Sequence, residues 1–465
     1  MSAESGSGGG VLDLSEPRHI HIVGIGGAGM SAIALVLRAM GHTVSGSDLK
    51  DSAVADRLRS QSITVAVGHR AENVGQVDAI TYSPAVALHN PEIRAALAQG
   101  AMVVPRSGTL AAICATRRCL AVAGTKGKTT TASMLSLMLI EAGMRPSFLI
   151  GADVNEIGTN AVWDSGEWLV VEADESYGTF QALRPDLAVL TNVEPDHLDH
   201  YGTFAELRSA FSAFVALASD GSVVCADDVE AAAIGRTHGG QSVGTATDAT
   251  FLMSGVTQNR SSVTFSLSGP DGALGDLTIG VPGLHNARNA ALAAVAALKV
   301  GVPFADITSA LARFAGVTRR FEFRGEAGGV TFVDDYAHLP FAVRAALATA
   351  SSGGWSRVIA VFQPHRYTRT AELADQFGTA FEEADVLVVT DVYGAGEAPI
   401  PGVSGQLIAE AVREQNPTLP VTYAPGWEEL RRTVATLLQP GDLCLTMGAG
   451  DLTALPDELI DSPSW

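Results

Sequence analysis

The sequence is poor in cysteine, in basic charge and in long apolar runs, and each shortage excludes a class of protein. Its four cysteines, Cys114, Cys119, Cys225 and Cys444, lie in a chain of 465 residues and form no C-x-x-C pair. That is no disulfide framework, and a reducing compartment is expected. Lys and Arg number 30 against 50 Asp and Glu, a formal net charge of −20. A sequence-independent nucleic-acid binder needs a cationic face to displace counterions from phosphates, and no Lys/Arg cluster supplies one. No run of about 18 or more apolar residues is present to span a bilayer. Met1–Gly10 has no charged start followed by an apolar stretch, so residues 1–17 read as a disordered tail and not as a signal peptide. The expectation is a cytoplasmic protein, monomer or homodimer, with no nucleic-acid or membrane partner.

The hydrophobic fraction, 47%, is ample for several packed cores. Short apolar runs alternate with amphipathic helical patterns almost throughout, which predicts α/β architecture with parallel sheets. Three strand–glycine–helix or strand–helix openings mark three units. They start at His19–Gly24, Cys119–Gly124 and Val330–Asp334. A β-rich interlude at Ala249–Ile279 reads as hairpins added to the second unit. The predicted domains are 18–115, 116–317 and 318–465. An acidic chain can still hold a polyanion, provided local N–H groups and a few placed cations do so.

Gly24-Ile-Gly26-Gly27-Ala28-Gly29, followed by Met30, matches G-x-G-x-x-G between a strand and a helix. Asp48 ends the next strand. This is a dinucleotide fingerprint in context, open to a nicotinamide cofactor, another diphosphate nucleotide or a structural turn. The second loop reads Gly124-Thr125-Lys126-Gly127-Lys128-Thr129-Thr130. It is shorter than a full Walker A loop, with the same physics: a nest of N–H groups, Lys128 as a point charge on phosphate, and the Thr129 hydroxyl for Mg²⁺. Two strands then end in carboxylates, Glu172-Ala-Asp174-Glu175 and Glu194-Pro-Asp196-His197. Beside a phosphate loop these residues read as Mg²⁺ ligands or as loop caps. Asn286 and Asn289 lie three apart at a helix start, so they share a face. They read as an adenine-reading pair or as ordinary helix-start residues. His365, Arg366 and Arg369 follow a strand directly, where two arginines can clamp a carboxylate or a transferring phosphoryl group.

Taken in order, GIGGAGMSAIA, GSD, GTKGKTTT, EADES, TNVEPDHLDHY, PGLHNARNA, RRFE, DDYAH, FQPHRYTRT, DVYGAGE and GAGD span nearly the whole chain. This series resembles the Mur ligases, the ATP-dependent amide-forming enzymes of peptidoglycan synthesis. The resemblance implies a Rossmann-like N-terminal domain, a central P-loop-type ATPase domain with a small β-rich addition, and a Rossmann-like C-terminal domain. It implies UDP-N-acetylmuramate, L-alanine and ATP as substrates, with Mg²⁺, and an acyl phosphate intermediate. The diphosphate would lie on Gly26–Met30, with Asp48 and His69 near the uridine. ATP would take Gly124–Thr130, His285, Asn286, Asn289, Arg320 and Asp335. Thr129, Glu172 and His197 would serve the metal. Tyr336, His338, His365, Arg366 and Arg369 would line the amino acid. Lys128, His338, Arg366 and Arg369 would act in catalysis, His338 as proton acceptor.

Three places depart from the pattern the family usually shows. Lys126 stands where a His is usual, Tyr177 replaces an acid, and Leu339, Phe341 and Ala342 replace the His, Thr and Glu of a His-Pro-Thr-Glu run after His338, its Pro kept as Pro340. The alternatives are a Mur-type ligase for glycine, serine or another UDP-sugar, a catalytically weak Mur-like binding protein, and a nicotinamide-dependent oxidoreductase.

Overall fold

The computed structural model describes residues 12–461, without the side chains of Tyr177 and Asp199. Leu12 and Leu14 fall in the segment expected to be a tail, and both are buried. The rest of that segment, 1–11, lies outside the described residues.

The first sheet has five parallel strands in the order Thr64–Val67, Thr43–Asp48, His19–Val23, Ala79–Tyr82 and Met102–Pro105. The chain begins at the central strand, runs to one edge and returns to build the other. That reversal leaves a crevice at the carboxyl end of His19–Val23, where open α/β sheets take their ligands. Ile20, Ile22 and Val23 are fully buried, as a strand covered on both faces requires.

The second sheet has ten strands. Arg118–Ala123 lies between Leu187–Leu190 and Trp168–Glu172, all parallel. The helix Lys128–Glu141 that follows is buried from Thr129 through Leu139. A helix buried all round cannot show a polar face to water. Its serines turn inward instead: Ser133 donates to the Thr129 carbonyl and Ser136 to that of Ala132, both at 2.8 Å. The β-rich interlude is the far edge of this sheet, in strands Phe251–Gln258, Val263–Gly269 and Gly272–Ile279. Val263, Phe265 and Leu267 alternate inward, the period of a strand with one covered face.

The third sheet has six strands, parallel except for the edge pair Glu322–Ala327 with Val330–Asp335. Apolar clusters cover both of its faces. Phe362, at the end of Val358–Phe362, is fully buried, with the rings of Phe377 and Phe381 at 5.1 and 5.3 Å.

The chain forms two compact units. One carries the first two sheets and Arg288–Phe314, and the other the third sheet with Val256–Thr264 and Thr278–Ala287. Within the first unit, Asn160 Nδ2 donates to the Ala28 carbonyl at 3.3 Å, and Arg57 pairs with Asp153 at 3.2 Å. Among the described residues, no helix is long and apolar enough to cross a membrane. Phe362→Ala is expected to destabilise the second unit by about 3–5 kcal/mol, the usual cost of emptying an aromatic core position. Urea unfolding followed by far-UV circular dichroism checks this.

Candidate active site

The first glycine loop sits at the sheet reversal. Gly24 N–H donates to the Ser47 carbonyl at 2.9 Å, and Gly26 N–H to Asp48 Oδ2 at 2.9 Å. Asp48 therefore braces the loop as well as ending its strand. Asp48 is in register with Val67, two residues before His69, so the sheet brings both to one end. His69 Nδ1 is 2.8 Å from Ser47 Oγ. Behind them lies a residue that the motifs do not reveal, the fully buried Glu92. It accepts from Ser47, from Asn73 Nδ2 at 2.6 Å and from Arg70 N–H at 3.1 Å, and His21 Nε2 stands 3.5 Å away. Burial opposes ionisation of Glu92, but the hydrogen bonds from His21, Ser47, Asn73 and Arg70 outweigh it and hold its carboxyl at about 2.

The second loop depends on a close backbone approach. Gly124 has φ +133°, and a Cβ there would overlap the Thr191 hydroxyl. Thr191 Oγ1 donates to the Lys126 carbonyl at 2.5 Å, and Asn192 Oδ1 accepts from Lys126 N–H at 2.8 Å. Thr191 and Asn192 thus clamp the loop from the end of the neighbouring strand. Lys128 Nζ donates to the carbonyl of Gly124 at 2.6 Å and pairs with Glu175 at 2.7 Å. Burial opposes the Lys128 charge, but the carboxylates of Glu175, Asp174 and Glu172 outweigh it and raise its pKa above the ordinary value.

The residues expected at the metal fall in two groups. Thr129 Oγ1 donates to Glu172 Oε1 at 3.1 Å, and Glu172 Oε2 accepts from Gly151 N–H at 2.7 Å. His197 groups instead with Glu175 and Asp196, whose ligand atoms and its own lie within 4.8 Å of one another. Its Nε2 is 3.0 Å from Ser176 Oγ. Hydroxyl and carboxylate oxygens are the hard donors Mg²⁺ takes, so the set around Thr129 and Glu172 fits that ion, with a second set beside it. Lys126 Nζ pairs with Asp196 at 3.4 Å, which places its charge against the second group.

The asparagine pair is split by function. Asn286 Nδ2 donates to the Pro282 carbonyl at 2.6 Å, so one of its amide N–H groups serves the helix start. Asn289 lies against the second loop, where a Cβ on Gly127 would come within 2.5 Å of its Oδ1. His285 stands beside Asn286 at the start of Leu284–Lys299.

In the second unit, the carboxyl ends of parallel strands gather the remaining expected residues. The Arg319 and Arg320 guanidinium carbons each lie 5.0 Å from the Tyr336 ring centroid. Rings of Tyr336 and His338 are 5.3 Å apart, and those of His338 and His365 5.4 Å. Tyr393, which was not among the expected site residues, stacks on His365 at 5.8 Å. Its carbonyl accepts from Arg366 N–H at 2.8 Å. Asp335 accepts from Phe321 and Ala337 N–H groups, so both oxygens already organise the backbone. Burial pushes it up to about 6 against the pull of Arg320. Leu339 is buried and Ala342 packs on the adjoining core, so those two departures are changes in packing. The Tyr177 side chain lies outside the described residues.

Residues 19–118 match the Mur ligase family catalytic domain, 122–297 the Mur ligase middle domain, and 319–450 the Mur ligase glutamate ligase domain. A UDP-N-acetylmuramate–L-alanine ligase of Saccharopolyspora erythraea is 46% identical over 95% of this chain and 92% of its own length. The chain belongs to the Mur ligase family. Another relative, the UDP-N-acetylmuramate–L-alanine ligase of an Anaeromyxobacter species, is 43% identical over 97% of this chain and 98% of its own. Among solved Mur ligase structures, the UDP-N-acetylmuramate-alanine ligase of Thermotoga maritima superposes with a TM-score of 0.82 at 28% identity, covering 96% of this chain and 98% of that one. A murein peptide ligase of Psychrobacter arcticus superposes at 0.69 with 25% identity, covering 96% and 98%. The three-domain α/β architecture expected of a Mur ligase is therefore the fold of this chain.

His365 supplies a titration test. Burial and the charges of Arg369 and Arg366 depress its pKa to about 4. Arg369 Nη1 lies 3.1 Å from His365 Nδ1; since arginine only donates, Nδ1 accepts and the ring proton sits on Nε2. The stability that comes from keeping this ring neutral is present above the ordinary histidine value and is lost as pH falls through about 4. NMR titration is expected to show a neutral ring at pH 5, and Arg369→Ala is expected to raise the midpoint.

Proposed function

We propose that this chain joins L-alanine to the carboxylate of UDP-N-acetylmuramate at the expense of ATP. The observation that carries this reading is the braced second loop: Lys128 is held among carboxylates beside a Thr129–Glu172 pair, in a chain 46% identical to an alanine-adding ligase. The sugar nucleotide occupies the first glycine loop, its diphosphate on the N–H groups of Gly26–Met30, with Asp48 and His69 toward the uridine. ATP lies on Gly124–Thr130. Lys128 exchanges Glu175 for phosphate oxygens. Mg²⁺ held by Thr129 and Glu172, and by the group containing His197, supplies the positive charge that two approaching anions require.

The muramyl carboxylate oxygen attacks the γ-phosphorus, the bond to the β-bridging oxygen breaks, and ADP leaves. The amine of L-alanine then attacks the acyl carbon, and inorganic phosphate departs. One proton must leave the nitrogen for the amide to form. His338 suits that task, because its Nδ1 meets the Tyr336 carbonyl at 2.8 Å, which puts the ring proton on Nδ1 and leaves Nε2 as the basic nitrogen. Arg366 and Arg369 hold the amino-acid carboxylate as planar forks.

Phosphate release measured with ATP, Mg²⁺, UDP-N-acetylmuramate and each amino acid in turn tests the reading. Release that requires L-alanine is expected. Release with glycine or serine alone assigns a different amino acid, and reduction of a nicotinamide cofactor without ATP overturns ligation altogether. Lys128→Ala is expected to lower turnover by roughly 10²–10³-fold while UDP-sugar binding persists. Arg366→Ala and Arg369→Ala are each expected to raise the KM for L-alanine or lower kcat by about tenfold or more. Unchanged kinetics in both would remove the third sheet from the mechanism.

A further inference from the structure

The loop Gly24–Met30 contains no Lys or Arg, yet the proposed ligand brings a diphosphate to it. N–H groups at a helix start supply only part of the charge a diphosphate requires. The structure places a guanidinium there from elsewhere in the chain. Arg106 opens the helix Arg106–Cys114, directly after the edge strand Met102–Pro105 of the first sheet. Its guanidinium lies over Gly29, the last glycine of the loop: a Cβ at position 29 would come within 2.6 Å of Nη2 and 2.8 Å of Cζ. Gly29 does not have the left-handed backbone that favours glycine. The absence of a Cβ at this position lets the Arg106 guanidinium lie directly on the loop backbone.

Arg106 is under-satisfied for a guanidinium in this setting. Its side chain is 22% exposed, and its Nε is buried without a hydrogen-bond partner. Its ion pair, with Asp174 Oδ2, is long at 3.6 Å. A guanidinium has five donors in a fixed fork, and enclosing it with so few acceptors is unfavourable unless an anion completes the set. Asp174 adjoins Glu175, the partner of Lys128, so this fork lies between the two glycine loops.

We infer that Arg106 is the cation of the first glycine loop, a binding residue whose fork takes diphosphate oxygens of the sugar nucleotide while Asp174 holds it in place. The inference rests on the sugar-nucleotide reading of that loop. It makes Arg106 a discriminator between a nucleoside diphosphate and the bare nucleoside.

Isothermal titration calorimetry on the full chain, with UDP-N-acetylmuramate, UDP and uridine, tests it. Arg106→Ala and the bulkier Arg106→Gln are expected to weaken UDP and UDP-N-acetylmuramate by roughly ten- to a hundredfold, the weight of a charge-assisted contact. Uridine and ATP should bind as in the parent, so the ratio of uridine to UDP dissociation constants should collapse. The Gln variant keeps the side-chain bulk and gives the answer if the Ala variant does not fold. UDP binding unchanged in either folded variant overturns the inference and leaves the sugar-nucleotide reading standing. Equal losses for uridine and UDP overturn it too, since that marks a purely structural arginine. A parent protein that binds no uridine nucleotide overturns both.

Discussion

The Lys128–Glu175 ion pair is the contact on which the central site depends. Both side chains are almost fully enclosed, at 12% and 2% exposure. Leaving one of two buried charges without its partner costs about 3–5 kcal/mol. The loop therefore cannot present Lys128 as a bare cation. It stores the charge against a carboxylate of the same domain, and in the proposed reaction a phosphate would gain it by exchange. The same arrangement explains how a chain of net charge −20 accommodates polyanions. Its acidic residues at the site pair with the loop cations: Glu175 with Lys128 and Asp196 with Lys126. Asp174 repeats the device one residue earlier, toward Arg106.

The rigidity of that exchange comes from the backbone. The loop around Gly124 is fixed by Thr191 and Asn192, which reach it from a strand end more than sixty residues away in sequence, at separations of 65 and 66. With the loop clamped, the Lys128 carbon chain has a fixed origin, and only its ammonium changes partners. A looser loop would lose the entropy of ordering each time phosphate arrived, and the N–H nest would be formed only on binding. Preorganisation of this kind is what makes electrostatic stabilisation effective in a reaction between two anions.

Much of this was legible in the chain itself. The two glycine loops, the acid-tipped strands and the edge hairpins announce themselves through local spacing, and the structure places each at a sheet end. The residues that spacing does not reveal are those whose partners lie far off. Glu92 is joined to Ser47 across 45 residues and looks like any helical glutamate. Arg106 looks like a helix-start arginine. Asn286 shows another limit of spacing: helical spacing gives its face, and the bond from its amide to the carbonyl of Pro282 is seen only in the structure. The resemblance to the Mur ligases groups His197 with Glu172 at the metal. Its ring groups with Glu175 and Asp196, a neighbourhood set by the turn after its strand.

That turn exposes a further regularity. Among the described residues, seven non-glycine positions have positive φ, and five of them, His197, Arg319, Phe321, Arg366 and Ala395, belong to the motif series. Each such conformation costs on the order of 1–3 kcal/mol and persists only where surrounding contacts over-determine it. Those contacts are visible. Tyr201 N–H donates to the His197 carbonyl, Tyr336 N–H to that of Arg319, Phe321 N–H to Asp335, and Arg366 N–H to the Tyr393 carbonyl. Asp335 and Tyr393 thus hold the backbone on which site-motif residues sit. The two oxygens of Asp335 lock Phe321 and Ala337 on either side of the Tyr336 segment. The strain at Arg366 turns the chain sharply as the strand Val358–Phe362 gives way to the helix Tyr367–Phe377. The positive-φ residues Arg319, Phe321 and Arg366 thus flank the strand ends that carry the Tyr336, His338 and His365 rings, and backbone hydrogen bonds hold each of the three in place.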